Sequence, residues 1–536
     1  VNLKTPPGQP WTRRKIVFGF LALAILLPQT PAHAATCAVD ISQTNQSIRG
    51  FGACSAWHNS AYPTQLATWY WDSAGMTGNN PNGIGLSLLR CHIPYDNSTS
   101  GGAITDAGEA AVMKQAAGLG VSQIWIAEWT PPPAYKANNL PTGSNNNNNF
   151  SGAASGAANA ADTGYATYLV NYIKYANQQL AANGVTIMAV SPQNEPDWDT
   201  TYESCLWNAG QFSVFTQALH SALQTGGLTT QIMIPESFRD DKTLAATAMN
   251  DPTISGYLGV IGNHLYGITN NLVLSSTPYS LANSGFSHVT TQEMWETEMS
   301  DVSGAGNDTS MTSGLVIAGW VHACIVDANM NAYHHWWLYP SSGSTNESLI
   351  GSDNASTKKL WVLGNWSRFV RPGFYRAGAT EVPTAGVSIS SYKNSNSTPT
   401  TIVIVAINHN GSAQSMTFNF AGGTVSQETP WVTDGGNNLA RQTTQTVTGN
   451  SFTYSLSATS VTTFVCVIGA VGPTATFTNT VPPTPTFTRT STPIPGAFCM
   501  IDNFEDGNTA NNWGGTWTTY GDANTTLAFS VPAGGA

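Results

Sequence analysis

Apolar positions change their spacing several times along the chain, and each change marks a different kind of structure. Near the start, Ile16 to Leu27 forms one apolar run behind the basic trio Arg13, Arg14 and Lys15, ahead of the small-residue stretch Ala32-His33-Ala34. That layout reads as an export signal over residues 1–34, and the run is short for a membrane span. The mature protein is therefore expected to be secreted, extracellular and without a membrane span.

From Gly50 onward, short apolar runs alternate with segments of helical spacing. Gly50–Ala53, Ile84–Arg90, Gln123–Ala127, Val185–Val190, Gln231–Ile234, Val260–His264, Glu293–Thr297 and Ala332–Trp336 have the character of buried strands. Between them, Tyr165–Ala182 places Tyr168, Leu169, Tyr172, Ile173, Ala176 and Leu180 on one helical face and stops at Asn183-Gly184; Phe212–Leu223 is similar. Eight strands alternating with helices predict a (β/α)₈ barrel over residues 38–378. The segment Cys37–Ser47 alternates like a half-exposed strand and is expected to join a side domain. The Asn145–Asn149 run and the Gly/Ala-rich Ser151–Ala160 predict a mobile insertion.

Residues 379–469 change to short Val/Ile/Thr-rich runs with Asn/Gly turns, such as Thr401–Ile407 and Val461–Cys466, which predicts an all-β side domain of sandwich type. Residues 470–495 are rich in Thr and Pro and read as a linker. Residues 496–536, with Trp513 and Trp517, read as the truncated start of a β-rich module of carbohydrate-binding type.

Composition narrows the class of partner. Over 536 residues, only 9% are charged and the formal charge is -11, which argues against nucleic acid as a partner. Hydrophobic residues at 41% supply a sizeable core, and 17 Trp provide flat faces suited to sugar rings. Seven cysteines follow the signal and none has CxxC spacing, so no structural metal is expected. Cys37 and Cys466 lie in the first and last strands of the main body, where pairing of those strands would permit a disulfide.

The predicted strands end in polar or aromatic side chains: Arg90 and His92, Glu128 and Trp129, Asn194 and Glu195, Glu236, His264 and Tyr266, Glu298, then Trp336 and Trp337. Carboxylates from different barrel strands, ringed by aromatics, suit acid–base work on a neutral ring-shaped substrate. Glycoside hydrolysis needs that set, with one acid and one carboxylate flanking the scissile bond. Glu195 and Glu298 stand three strands apart, able to converge across the barrel mouth. Strand alternation puts Glu296 on the same side as Glu298, so spacing does not choose between them. Glu128 is expected to orient Arg90 or His264, and Glu236 to do the same or to tune the nucleophile. Trp57 and Trp129, then Trp198 and Trp337, are the candidate sugar platforms. His334 and His335 are adjacent on a strand and so face opposite ways, which disfavours a shared metal.

Ile48-Arg49-Gly50-Phe51-Gly52, Ser87-Leu88-Leu89-Arg90, Gln193-Asn194-Glu195-Pro196-Asp197, Pro235-Glu236-Ser237-Phe238, His264-Leu265-Tyr266-Gly267, Trp295-Glu296-Thr297-Glu298 and Phe369-Val370-Arg371-Pro372-Gly373 together resemble the landmarks of glycoside hydrolase family 30, in its bacterial endo-xylanase branch (subfamily 8-like). The likeness covers about residues 38–468. It implies a barrel with a fused side β-domain, a retaining mechanism on xylan, Glu195 as acid/base and Glu298 as nucleophile; separately, no cofactor and a monomer are expected. Substrate contacts are expected from Asn194, His264 and Tyr266, with Arg90 in support. Where glucuronic-acid-dependent members carry an arginine after the eighth strand, Leu338–Ser344 has no cation, so no requirement for glucuronic acid side groups is expected. The alternatives are another family 30 specificity, a β-1,6-glucanase or β-glucosidase type, or a non-catalytic carbohydrate-binding surface protein.

Overall fold

A computed structural model of the chain describes residues 34–96, 107–143, 147–239, 241, 243–266, 292–302, 306–340 and 345–469. The signal-like segment, the Thr/Pro linker and the C-terminal module lie outside the described residues.

Eight parallel strands close into a barrel, in the order of the chain: Gly50–Cys54, Leu88–Ile93, Gln123–Glu128, Ile187–Ser191, Gln231–Ser237, Leu258–His264, Glu293–Met299 and Ala332–Trp337. Each overlaps one of the eight predicted runs. The second strand begins at Leu88 rather than Ile84, because Gly85 takes a left-handed φ of 63° and breaks the extended run. Ile84 and Leu86 instead donate their N–H groups to the carbonyls of Trp69 and Tyr70. Inside the barrel, Trp125, Trp295, Leu88, Met233 and Val260 fill the interior. His334 joins them: its Nε2 accepts from Trp125 Nε1 at 3.0 Å, and its Nδ1 reaches Glu296 O at 2.9 Å. Burial pushes His334 and His335 down to about 3, and neutral His334 is thereby an interior packing group.

The helices follow from local signals. Ala160–Leu180 starts earlier than predicted because Asn159 and Asp162 form a capping box, and the predicted face is buried. Ala209–Thr225 has the same device in Asn208 and Gln211. The described part of the insertion before Ala160, residues 147–159, is tied down rather than loose. Phe150 is buried and stacked on Trp207 at 3.9 Å, and Asn148 Nδ2 donates to Asp199 Oδ1 and Ser204 Oγ.

The side domain is two packed sheets. One holds Gly378–Ala379, Ala35–Asp40, Gln414–Ala421 and Ser451–Leu456; the other is built mainly on Val387–Lys393, Thr401–Asn408, Ser460–Ile468 and Val425–Thr433. The strand of Cys37 pairs with Gln414–Ala421, while that of Cys466 pairs with Thr401–Asn408 and Val425–Thr433. The disulfide admitted for paired strands therefore does not form; both thiols are free and buried in the core between the sheets. The outer face of the larger sheet, through Val403, Val405, Ile407 and Trp431, continues into the barrel's helical core. Asn365 of the helix Lys358–Ser367 locks that joint by donating to Trp431 O, Val461 O and Thr463 Oγ1. No helix among the described residues is long and apolar enough to cross a membrane.

Candidate active site

Glu195 projects from the turn after the fourth strand with φ 47°, a left-handed conformation that costs a non-glycine residue of order 1 kcal/mol or more. Glu236, at the end of the fifth strand, is left-handed too, with φ 54°. The two turns support each other, because Glu195 N donates to Glu236 O at 3.0 Å. Asn194 N donates to Glu128 O at 2.7 Å, which fixes the other flank of the turn.

Glu298 reaches the mouth because its strand is irregular. Both neighbouring ladders shift register after Glu296. Trp295 points into the barrel, while Glu296 neighbours Tyr333 of the outer core. Strict alternation, which placed Glu296 and Glu298 on one side, fails at this bulge. Glu298 lines the cleft, and Glu296 sits behind it, its Oε1 accepting Glu298 N at 3.2 Å.

One oxygen each of Glu195 and Glu298 and a ring nitrogen of His264 lie within 4.8 Å of one another. His264 Nδ1 is 3.1 Å from Glu195 Oε1, and its Nε2 is 3.6 Å from Glu236 Oε1 and 3.9 Å from Glu298 Oε2. Burial opposes protonation of His264, but Glu298, Glu195 and Glu236 outweigh it and raise the imidazole to about 10. His264 is therefore a buried cation facing three carboxylates.

Arg90 is the second cation. Its guanidinium contacts Glu298 and Asn194 and pairs with Glu236 at 3.1 Å. Three indoles surround it, with Trp129 at 4.5 Å, Trp125 at 5.3 Å and Trp336 at 5.8 Å. Burial raises the Glu236 carboxyl, and the pull of Arg90 and His264 overcomes it, leaving Glu236 below its ordinary range. Glu195 goes the other way: burial raises it, the His264 hydrogen bond only partly offsets this, and the charge of Glu298 adds to the rise. Tyr266 Oη donates to Glu298 Oε1 at 3.1 Å. Glu128, expected beside Arg90 or His264, is instead buried next to Glu203, and both burial and that neighbour raise its carboxyl well above the usual range.

Above these groups opens a cleft of about 400 Å³. Of the expected platforms, Trp57 and Trp337 line it. Trp129 borders it as a floor, 2% exposed, with its ring face carrying Arg90. Trp198 lies outside the wall, 40% exposed and stacked on Phe238. Glu195, Glu298 and Tyr266 line the cleft as well. Sequence reasoning missed Tyr202, Phe238, Val302, Trp336 and Glu347, which also line it. Trp336 stood among the aromatics at the strand ends and Phe238 within a quoted motif, whereas Glu347 sits ten residues past the eighth strand with no local signal.

The family profile described as O-Glycosyl hydrolase family 30 matches residues 104–350. A family 30 subfamily 8 xylanase from Clostridium acetobutylicum is 31% identical, with a TM-score of 0.66, over 81% of this chain and all of that one. The chain belongs to glycoside hydrolase family 30. A family 30 endoxylanase structure from Clostridium papyrosolvens is 30% identical at a TM-score of 0.65, again over 81% of this chain and all of that one. The glucuronoxylanase XynC of Bacillus subtilis is 29% identical over 84% of this chain and 96% of its own length.

Proposed function

We propose that this family 30 enzyme is a secreted, retaining endo-β-1,4-xylanase that does not require glucuronic acid side groups. The observation that carries the mechanism is the approach of Glu195 and Glu298 to within 4.8 Å, oxygen to oxygen. A retaining pair stands about 5–5.5 Å apart, whereas an inverting pair needs about 6.5–9.5 Å to admit a water.

In the first step Glu298 attacks the anomeric carbon, the bond to the leaving oxygen breaks, and Glu195 gives that oxygen its proton. In the second, Glu195 takes a proton from water, the water oxygen displaces Glu298, and the configuration is restored. The pair carries one negative charge throughout: first on Glu298, then on Glu195 once Glu298 is an ester. His264 faces both residues, at 3.1 Å and 3.9 Å, so it remains paired in either state. Arg90 and Tyr266 hold the nucleophile in place.

Xylan as substrate is supported by the xylanase relatives. Independence from glucuronic acid rests on charge. In sequence, the stretches that follow the eight barrel strands (residues 55–63, 94–109, 129–159, 192–208, 238–242, 265–292, 300–310 and 338–357) contain Lys136, Arg239 and Lys242 as their only Lys or Arg residues. Lys136 is buried on Thr130 Oγ1 and Ser204 O, and the Arg239 guanidinium lies over Phe238 at 5.1 Å. On the eighth-strand side the cleft presents Glu347, a carboxylate that opposes an acidic substituent. Secretion is supported by the signal-like residues 1–34 alone.

Initial product configuration, followed by proton NMR on linear xylan, tests the mechanism; α-configured first products would refute retention. Matched rates on glucuronoxylan and arabinoxylan test the substrate. A strong preference for glucuronoxylan would overturn the independence reading.

A further inference from the structure

Three aromatic rings run outward from the catalytic carboxylates on one side only. Tyr266, whose hydroxyl holds Glu298, stacks on Phe238 with centroids 5.2 Å apart and planes at 28°. Phe238 stacks on Trp198 at 4.6 Å and 25°. Phe238 is half-buried at the cleft wall, and Trp198, the outermost ring, is 40% exposed.

The outer ring is also held rigidly to the acid. Trp198 N donates to Glu195 O at 3.0 Å. Asp197, between them, accepts from Ser237 Oγ at 2.8 Å and Phe238 N at 2.9 Å, which clamps the turn of Glu195 to the turn of Phe238. A solvent-facing indole stacked on Phe238 and carried on a turn clamped by three hydrogen bonds is preorganised for a flat ligand, because less freedom remains to be lost on binding.

The direction of the row decides the ligand. Glu195 protonates the leaving oxygen, so the departing sugars lie on the side of Glu195, and the glycone faces Trp336, Trp337 and Glu347 on the opposite rim. We propose that Tyr266, Phe238 and Trp198 form an aromatic shelf for the leaving-group half of the polysaccharide, with Trp198 as a distal platform beyond the cleft that stacks on a neutral β-1,4-linked pentose ring. This rests on the endo-xylanase reading and adds to it the extent and side of chain recognition. A sugar without charge suits the outer part of the shelf, where the Arg239 guanidinium is already drawn over Phe238.

The test uses the full-length enzyme, linear β-1,4-xylan and a length series of reducing-end-labelled xylo-oligosaccharides. Trp198→Ala is expected to lower kcat/KM on polymer and long oligosaccharides roughly three- to tenfold. The loss should fall on KM, cleavage positions should move along the labelled chains, and the shortest cleaved oligosaccharides should be unaffected. Trp198→Phe should restore most of the wild-type pattern. An unchanged cleavage pattern with Trp198→Ala, or an equal loss at every chain length, would overturn the shelf. Failure of the wild-type enzyme to cut any of these xylans would instead overturn the substrate reading on which the shelf stands.

Discussion

Replacing His264 with Gln removes the buried cation while keeping a hydrogen-bond donor of similar reach, and two measurements should respond in opposite directions of pH. The first is the pH–rate profile. Glu195 must carry its proton to act as the acid, so its titration sets the alkaline limb of kcat/KM. Burial and Glu298 raise this carboxyl, and the contact with protonated His264 holds it down. A hydrogen bond to a charged group contributes about 1.5–3 kcal/mol, and one pKa unit corresponds to about 1.4 kcal/mol, so losing the charge should shift the alkaline limb up by about one to two pH units. The variant should be slower at its optimum and relatively more active in alkali.

The second measurement is stability. His264 is raised from 6.5 to about 10 in the folded state. A base with a raised folded pKa contributes stability that is fully present below the unfolded value and is lost as the pH rises through the folded value. The variant's deficit in urea unfolding should therefore be largest below about pH 6.5, on the order of 3–5 kcal/mol for a broken buried ion cluster, and should shrink towards pH 10. An alkaline limb that stays in place or moves down would refute the electrostatic role assigned to His264. A deficit independent of pH would show that its ring acts by packing alone.

Three further outcomes are expected. Glu298→Gln should lower kcat by about 10⁴-fold or more while xylo-oligosaccharide binding, measured by calorimetry, persists, and near-normal turnover would remove it as nucleophile. Glu347→Gln should raise the rate on glucuronoxylan relative to neutral xylan by about fivefold, the equivalent of roughly 1 kcal/mol between partly solvated charges; a fall in that ratio would contradict the repulsion argument. In the side domain, Glu428 is buried without a hydrogen-bond partner for either carboxylate oxygen among the described residues, and burial raises it to about 7. A raised carboxyl destabilises the fold as the pH climbs above 4.5, so Glu428→Gln should match the parent near pH 4 and exceed it by about 1–2 kcal/mol above pH 7, allowing for solvent screening; equal unfolding midpoints at pH 8 would count against it.

The regular parts of the molecule were legible for a simple reason. A barrel strand is buried on both faces and reads as an apolar run, and a barrel helix buries one stripe, so Val185–Val190 and the face of Tyr168, Tyr172 and Ala176 announce themselves. Contacts made across the chain left no such mark. Phe150 is one apolar residue in a polar insertion, yet its stack on Trp207 fixes the segment. Cys37 and Cys466 both face the sandwich core, but from opposite sheets, and no alternation pattern records which sheet a strand joins.

The functional site departs from those regular rules at the residues that matter most to the proposed chemistry. Glu195 and Glu236 occupy left-handed backbone that neither residue type favours, and Glu298 enters the cleft through a bulge that parts it from Glu296. Each departure has the same consequence. A side chain that regular geometry would turn toward solvent or the outer core is turned into the mouth, toward Arg90 and His264. These two buried cations, with the hydrogen bond between the turns of Glu195 and Glu236, are what oppose the backbone cost. Strain and ion pairing are thus coupled, and neutralising His264 should disturb the position of Glu195 as well as its proton affinity. A crystal structure of the His264→Gln protein with Glu195 still at positive φ and still facing Glu298 would show that the two are separable, and would place the burden of holding the acid on the turn alone.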